Sequence, residues 1–274
     1  MRDGDRGAES RESAVVRALR ANHGWAFFVA VTLVSGATLV PLTWISSRFW
    51  AGAGNFFSDA THRLLRFYFD HLFYMVPVIE GRERRAPGSC LIVANHASFL
   101  DPLLLMSIEP RLGGPVRRYM LRVPVFGEIA RLAGFFQSDV GELPSFEDIA
   151  ASVGGARSRG GSVLFFPEGT RSADGQLGTF HRGAFRAAFD HDLVVQPVAI
   201  EGLGDVLPKG RYLTQTSGRY PVRMRYLDPI APPFGDGVRR DVVRALTDRA
   251  RAAIADALDQ MREERRAGAD RMAS

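Results

Sequence analysis

Residues 24–47 run without a charged side chain, and such a stretch meets the requirement of about 20 apolar residues for crossing a bilayer. Trp25 and Trp44 lie near its two ends, where an interfacial aromatic belt would place them. A secretory signal fits poorly, because the apolar run is long and the polar leader carries almost as many acids as bases. A buried core helix is disfavoured by so unbroken a run, whereas Gly36 and Pro41 leave open a hairpin that dips in and returns to the same side. Residues 1–23 are polar and mixed in charge, so the pattern predicts a loosely ordered lead-in.

The next segment, 56–78, interleaves aromatics with Asp59, Arg63, Arg66 and Asp70, which predicts an amphipathic helix. Such a helix either lies along lipid headgroups or packs its apolar stripe on the domain. Beyond residue 80 the pattern changes to short apolar runs separated by helical stretches and glycine-rich turns, the alternation of an α/β domain. Strands are predicted at 90–94, 118–121, 162–166, 194–200 and 222–226, and helices at 99–108, 126–134, 145–158, 182–189 and 238–264. The resulting division is a lead-in at 1–23, a membrane-associated helical segment at 24–78, the α/β domain at 79–264 and a fraying tail at 265–274.

Composition refines this division. With 274 residues, 46% of them apolar, the chain can bury one sizeable core. Its 35 Lys and Arg outnumber 30 Asp and Glu, which favours anionic partners such as phosphate headgroups or an anionic membrane surface. Nucleic acid has only that charge in its favour, because no phosphate loop of the G-x-x-x-x-G-K-[ST] type and no zinc-finger spacing occurs. A single cysteine, Cys90, excludes an intrachain disulfide framework and reads as a small buried hydrophobe in a cytosol-facing domain. The histidines at 23, 62, 71, 181 and 191 are scattered without ligand spacing, so no metal and no cofactor is expected.

Two turns carry the candidate chemistry. The run CLIVAN leads straight into Asn95-His96-Ala97-Ser98-Phe99-Leu100-Asp101, placing His96 at the carboxyl end of a strand, where open α/β sheets bind ligands. An Asp101 carboxylate bonded to one ring nitrogen would leave the other as a base able to take a proton from an alcohol. The same Ser98-x-x-Asp101 spacing also reads as a helix capping box, with nothing catalytic in it. The second turn follows the apolar run 162–166 as Glu168-Gly169-Thr170-Arg171-Ser172. Here Arg171 can grip a phosphate in a fork, Gly169 lets backbone amides approach it, and Glu168 would orient Arg171 or bind a hydroxyl. Alone, this block could be a plain surface turn. A serine hydrolase is the competing enzyme class, but no G-x-S-x-G elbow occurs.

In this order and spacing, the two blocks resemble the signatures of the lysophosphatidic acid acyltransferase family and its glycerolipid relatives. The family's His-x4-Asp pair is met by His96 and Asp101, and its phosphate-binding EGTRS block by residues 168–172. Val195-Gln196-Pro197-Val198-Ala199-Ile200 is similar to a family proline block, and Phe180-His181-Arg182-Gly183-Ala184 to the stretch after EGTRS. The resemblance spans about residues 60–235. It implies a mostly parallel central sheet flanked by helices, an N-terminal membrane-binding segment and a catalytic domain facing the cytoplasm. It also implies acyl-CoA or acyl carrier protein as co-substrate and a lysophospholipid hydroxyl as acceptor, with His96 as base and Asp101 steadying it. The alternatives are another lysolipid acceptor or an idle lipid-binding protein on the same fold. One departure bears on the acceptor. The block 118–134 resembles the family's second motif, which continues into Ile-Asp-Arg, whereas this chain has Ser138-Asp139-Val140. Val140 stands where a phosphate-contacting arginine is expected, and Arg118, Arg122, Arg182 and Lys209 are the candidates to replace it.

Overall fold

Short apolar runs follow residue 74, and those at 91–94, 163–165 and 195–201 are buried on both faces, as strands of a sheet covered on both sides must be. In a computed structural model, which describes residues 14–46, 49, 53–71, 75–138, 146–216, 219–233 and 238–273, the runs form seven strands among the described residues. These are β1 (Met75–Glu80), β2 (Leu91–Ala94), β3 (Gly114–Val116), β4 (Phe135–Gln137), β5 (Val163–Phe165), β6 (Val195–Glu201) and β7 (Tyr220–Tyr226). The helices are α1 (Ala14–Ser46), α2 (Ala53–His71), α3 (Leu100–Ile108), α4 (Arg118–Leu121), α5 (Phe126–Leu132), α6 (Phe146–Arg159), α7 (Gly183–Asp190), α8 (Leu203–Val206) and α9 (Arg239–Ala273).

Five strands make the central sheet in the order β1-β7-β6-β2-β5, parallel except for the β6–β7 pair. Alternation along each strand divides the core. Ile92 and Ala94 of β2, Leu164 of β5 and Met224 and Tyr226 of β7 face one cluster with Leu65 and Phe69 of α2 and Leu104 of α3. Leu91, Val93, Val163 and Phe165 face the other, with Val153 of α6, Phe185 of α7 and Ile254, Leu258 and Met261 of α9. The result is helix, sheet and helix in three layers, the mostly parallel α/β architecture expected. Cys90 is buried, which pushes its thiol up from the ordinary value.

Strand order locates the site. From β2 the chain crosses to β5 on one side and then returns to β6 on the other, so β2 sits at a switch point with both neighbours parallel to it. Asn95 extends this pairing past the end of β2. Its side-chain amide donates to the Ile200 carbonyl at 2.8 Å and its oxygen accepts the Ile200 N–H at 2.8 Å, imitating one more ladder step. His96 therefore leaves the sheet from a fixed point.

Several expectations need correction. The predicted strand at 118–121 is the helix α4, because this segment turns to carry the chain between β3 and α5 instead of joining the sheet. The helix expected over 56–78 ends at His71, and Met75 begins β1, the edge strand paired with β7. The α/β domain therefore starts before residue 79. Helix α1 begins at Ala14, inside the expected lead-in, and α9 runs on to Ala273 through the expected tail. Strands β3 and β4 pair with each other, Gly113 just before β3 bridges to Val163 of β5, and neither strand is expected from the sequence. Asp139 and Val140 lie outside the described residues.

Helix α1 continues through both Gly36 and Pro41, so no hairpin forms at either. Gly36 serves packing: a Cβ there would lie 2.0 Å from Val125 Cγ1. Its stretch His23–Ser46 is long and apolar enough to cross a membrane, and only 12% of its most apolar window is buried in the protein. Leu33, Val34, Leu42, Trp44 and Ile45 all stand exposed. The hydroxyls of Thr32 and Thr38 donate to the helix's own carbonyls of Phe28 and Val34, the arrangement a polar side chain needs in an apolar surrounding. At its base, Phe27 stacks on Tyr68 of α2 at 5.1 Å between ring centroids. The packing reading of α2 is met: Leu65, Tyr68 and Phe69 pack on the domain, while Phe56 and Phe67 remain exposed.

Candidate active site

Directly after β2, His96 Nδ1 lies 2.8 Å from Asp101 Oδ2. A carboxylate can only accept, so Nδ1 carries a proton, and in the neutral ring Nε2 presents its lone pair. Asp101 sits in the first turn of α3, 1% exposed, and the same Oδ2 also accepts the N–H groups of Ala97 and Ser98 at 2.7 Å each. Capping and histidine orientation, the two competing readings of this spacing, are thus served by one oxygen. Ser98 Oγ takes the Leu100 N–H at 3.2 Å and itself donates to the Leu207 carbonyl at 2.8 Å. The imidazole lies flat on Phe166, with centroids 4.1 Å apart and planes 19° apart, so its tilt is fixed as well.

The second turn wraps the first. Glu168, at the end of β5, accepts the backbone N–H of His96 on Oε1 at 2.8 Å and that of Gly178 on Oε2 at 2.9 Å. Ser172 N–H donates to the His96 carbonyl at 2.7 Å. Both polar backbone groups of His96 are therefore held by one five-residue block, and the two motifs form one structure. Burial pushes the Glu168 carboxyl up from its ordinary value, against the two N–H donors, which pull it down.

Contacts redistribute the roles expected within that block. Glu168 neither orients Arg171 nor leaves an oxygen free of backbone donors; it positions His96. Gly169 adopts φ +67°, a left-handed turn that its missing side chain makes easy, close to His181. Its N–H is bonded to the Phe166 carbonyl at 3.0 Å and so is not offered to a ligand. Ser172 spends its hydroxyl on Asp174 at 3.0 Å. The carboxyl of Asp174 is held below its ordinary value by the Gln176 N–H and then by Ser172. Arg171 remains: the residue is half-buried, and its guanidinium has no hydrogen-bond or ion-pair partner among the described residues. Thr170 is exposed, and its Oγ1 accepts from Lys209 Nζ at 3.2 Å. The Ala97 and Ser98 amides after His96 are occupied by Asp101 and so are not offered to a developing oxyanion.

An apolar cavity of about 110 Å³ opens beside Phe99, within the His96–Asp101 turn. Phe28 of α1, Leu65 of α2, Met106 of α3 and Phe126 of α5 line it, so the apolar N-terminal helix forms part of its wall. Among the described residues no Asp, Glu, Lys, Arg or His lines it; its polar residues are Thr32, Ser35, Thr61 and Tyr68.

A base fixed by a carboxylate at the end of a parallel strand, next to an unpaired arginine and an apolar cavity, suits a group transfer between an alcohol and an amphiphile. Residues 77–201 match the model of the Acyltransferase family. Among relatives, a chloroplastic 1-acyl-sn-glycerol-3-phosphate acyltransferase of Arabidopsis thaliana is 33% identical over 190 residues, 68% of this chain and 50% of that protein. The alpha form of the same enzyme from Bos taurus is 27% identical over 251 residues, 90% of this chain and 81% of its own length. This chain spans 50%, 39% and 42% of the length of the relatives from Arabidopsis thaliana, Brassica napus and Chlamydomonas reinhardtii. The fold matches the crystal structure of a 1-acyl-sn-glycerophosphate acyltransferase from Thermotoga maritima, with a TM-score of 0.68 at 20% identity, covering 86% of this chain and 95% of that one.

Proposed function

We propose that the protein moves a fatty acyl group from acyl-CoA or acyl carrier protein to the free hydroxyl of 1-acylglycerol-3-phosphate, at the cytoplasmic face of a membrane, in phospholipid biosynthesis. The observation that carries the reading is the joint grip on His96, with Asp101 on its ring and residues 168 and 172 on its backbone. His96 Nε2 takes the acceptor's hydroxyl proton as that oxygen attacks the thioester carbonyl. The tetrahedral intermediate then collapses, the carbon–sulfur bond breaks, and the departing thiolate recovers the proton from the imidazolium. No group on the enzyme is acylated. Arg171 holds the acceptor phosphate through a forked, charge-assisted contact. One acyl chain occupies the cavity beside Phe99, and α1 keeps the cavity against the membrane from which lysolipid arrives.

The test is transfer of labelled oleoyl groups by purified protein in phospholipid vesicles. Donors are oleoyl-CoA and oleoyl carrier protein; acceptors are lysophosphatidic acid, lysophosphatidylcholine and glycerol 3-phosphate. Lysophosphatidic acid is expected to give the highest kcat/KM. Transfer to lysophosphatidylcholine alone would reject the acceptor, and transfer to none would favour an idle lipid-binding protein.

A further inference from the structure

Lys209 lies on the loop between α8 and β7, outside both motifs and beyond the matched residues 77–201. Its ammonium donates to Thr170 Oγ1 at 3.2 Å and to the Arg171 carbonyl at 2.9 Å, so it stands on the turn that presents Arg171. Two of its three donors are engaged and one remains. No carboxylate pairs with it among the described residues, nor with Arg171. The neighbouring acids are engaged elsewhere, Glu168 on two backbone N–H groups and Asp174 on Ser172 and Gln176. An exposed lysine held against backbone and hydroxyl oxygens, beside an unpaired guanidinium, makes a locally positive turn with no internal counter-charge.

The loop's anchors give that charge a fixed place. Two residues before Lys209, the Leu207 carbonyl accepts the hydroxyl of Ser98, itself two residues after His96. Three residues after it, the Tyr212 carbonyl accepts Trp25 Nε1 of α1 at 2.7 Å. The loop that carries the ammonium is thus tied to the histidine turn, the arginine turn and the apolar helix together.

We infer that Lys209 is a second cation of the acceptor site, binding the phosphate monoester beside Arg171 and supplying the positive charge that the sequence lacks at position 140. The inference rests on the proposed function for its acceptor. A phosphate monoester carries up to two negative charges, which Arg171 alone does not balance. Phosphates also occur in CoA, and the experiment separates the two sources.

Wild type, Lys209→Ala and Lys209→Arg are compared in steady-state kinetics with lysophosphatidic acid and with a phosphate-free monoacylglycerol, using oleoyl-CoA as donor. Equilibrium binding of a soluble short-chain lysophosphatidic acid is measured separately. The alanine variant is expected to raise KM for lysophosphatidic acid and weaken its binding roughly tenfold or more, with Lys209→Arg near wild type. KM for oleoyl-CoA and rates with monoacylglycerol should change less than about twofold. Unchanged lysophosphatidic acid binding in Lys209→Ala would overturn the inference. So would an increase confined to the KM for oleoyl-CoA, which would assign Lys209 to the donor, or equal losses with both acceptors, which would make it structural. Binding needs no turnover, so it tests Lys209 even where wild-type transfer to lysophosphatidic acid fails.

Discussion

Replacing His96 by alanine is expected to lower kcat by about 10²- to 10⁴-fold, the range that a positioned acid–base group contributes. The variant should still fold. The imidazole contributes its stack on Phe166 and the bond to Asp101, while the backbone contacts of residue 96 to Glu168 and Ser172 persist in any L-residue. Initial rates with lysophosphatidic acid, read beside a thermal unfolding curve, check both halves. A variant that keeps more than about a tenth of wild-type kcat would remove His96 from the role of base.

A comparable loss, with a different origin, is expected for Asp101→Asn. The amide oxygen can still accept backbone N–H groups, but the neutral side chain no longer balances an imidazolium, and its NH₂ can hold His96 in the wrong tautomer. Loss of kcat by about 10²- to 10⁴-fold is expected, with little change in unfolding temperature. Asp101→Ala serves as the contrast. It leaves the Ala97 and Ser98 N–H groups without their acceptor in a buried turn, and each such group costs about 1–3 kcal/mol. The alanine variant should therefore be both inactive and markedly less stable. Equal stability in the two variants would show that Oδ2 does not support the turn as described.

The site was readable in the sequence because its chemistry sits where strands end. His96 follows an uninterrupted apolar run, and Glu168 to Ser172 follow another, so two polar turns had to emerge at one edge of the sheet. Partners were less readable than positions. Nothing local shows that Glu168 clamps the backbone of residue 96, 72 positions away, or that the Asn95 amide extends the ladder to Ile200. Lys209 was one of four candidate cations, and only the loop's long-range anchors set it against Thr170 and Arg171. The errors in the fold have a related cause. Residues 56–78 keep an aromatic, amphipathic character across His71, so the change from α2 to the edge strand β1 depends on pairing with β7, more than 140 residues on. Residues 118–121 are apolar enough for a strand but find no neighbour in the sheet.

The central claim is a direct transfer from thioester to lysolipid hydroxyl. It is tested most directly by following purified protein with labelled oleoyl-CoA and lysophosphatidic acid, counting free thiol, phosphatidic acid, free oleate and protein-bound label. Thiol and phosphatidic acid should rise one for one, only when lysolipid is present, with no label on the quenched protein. Thiol release matched by free oleate, or by label retained on the chain before lysolipid is added, would contradict the account.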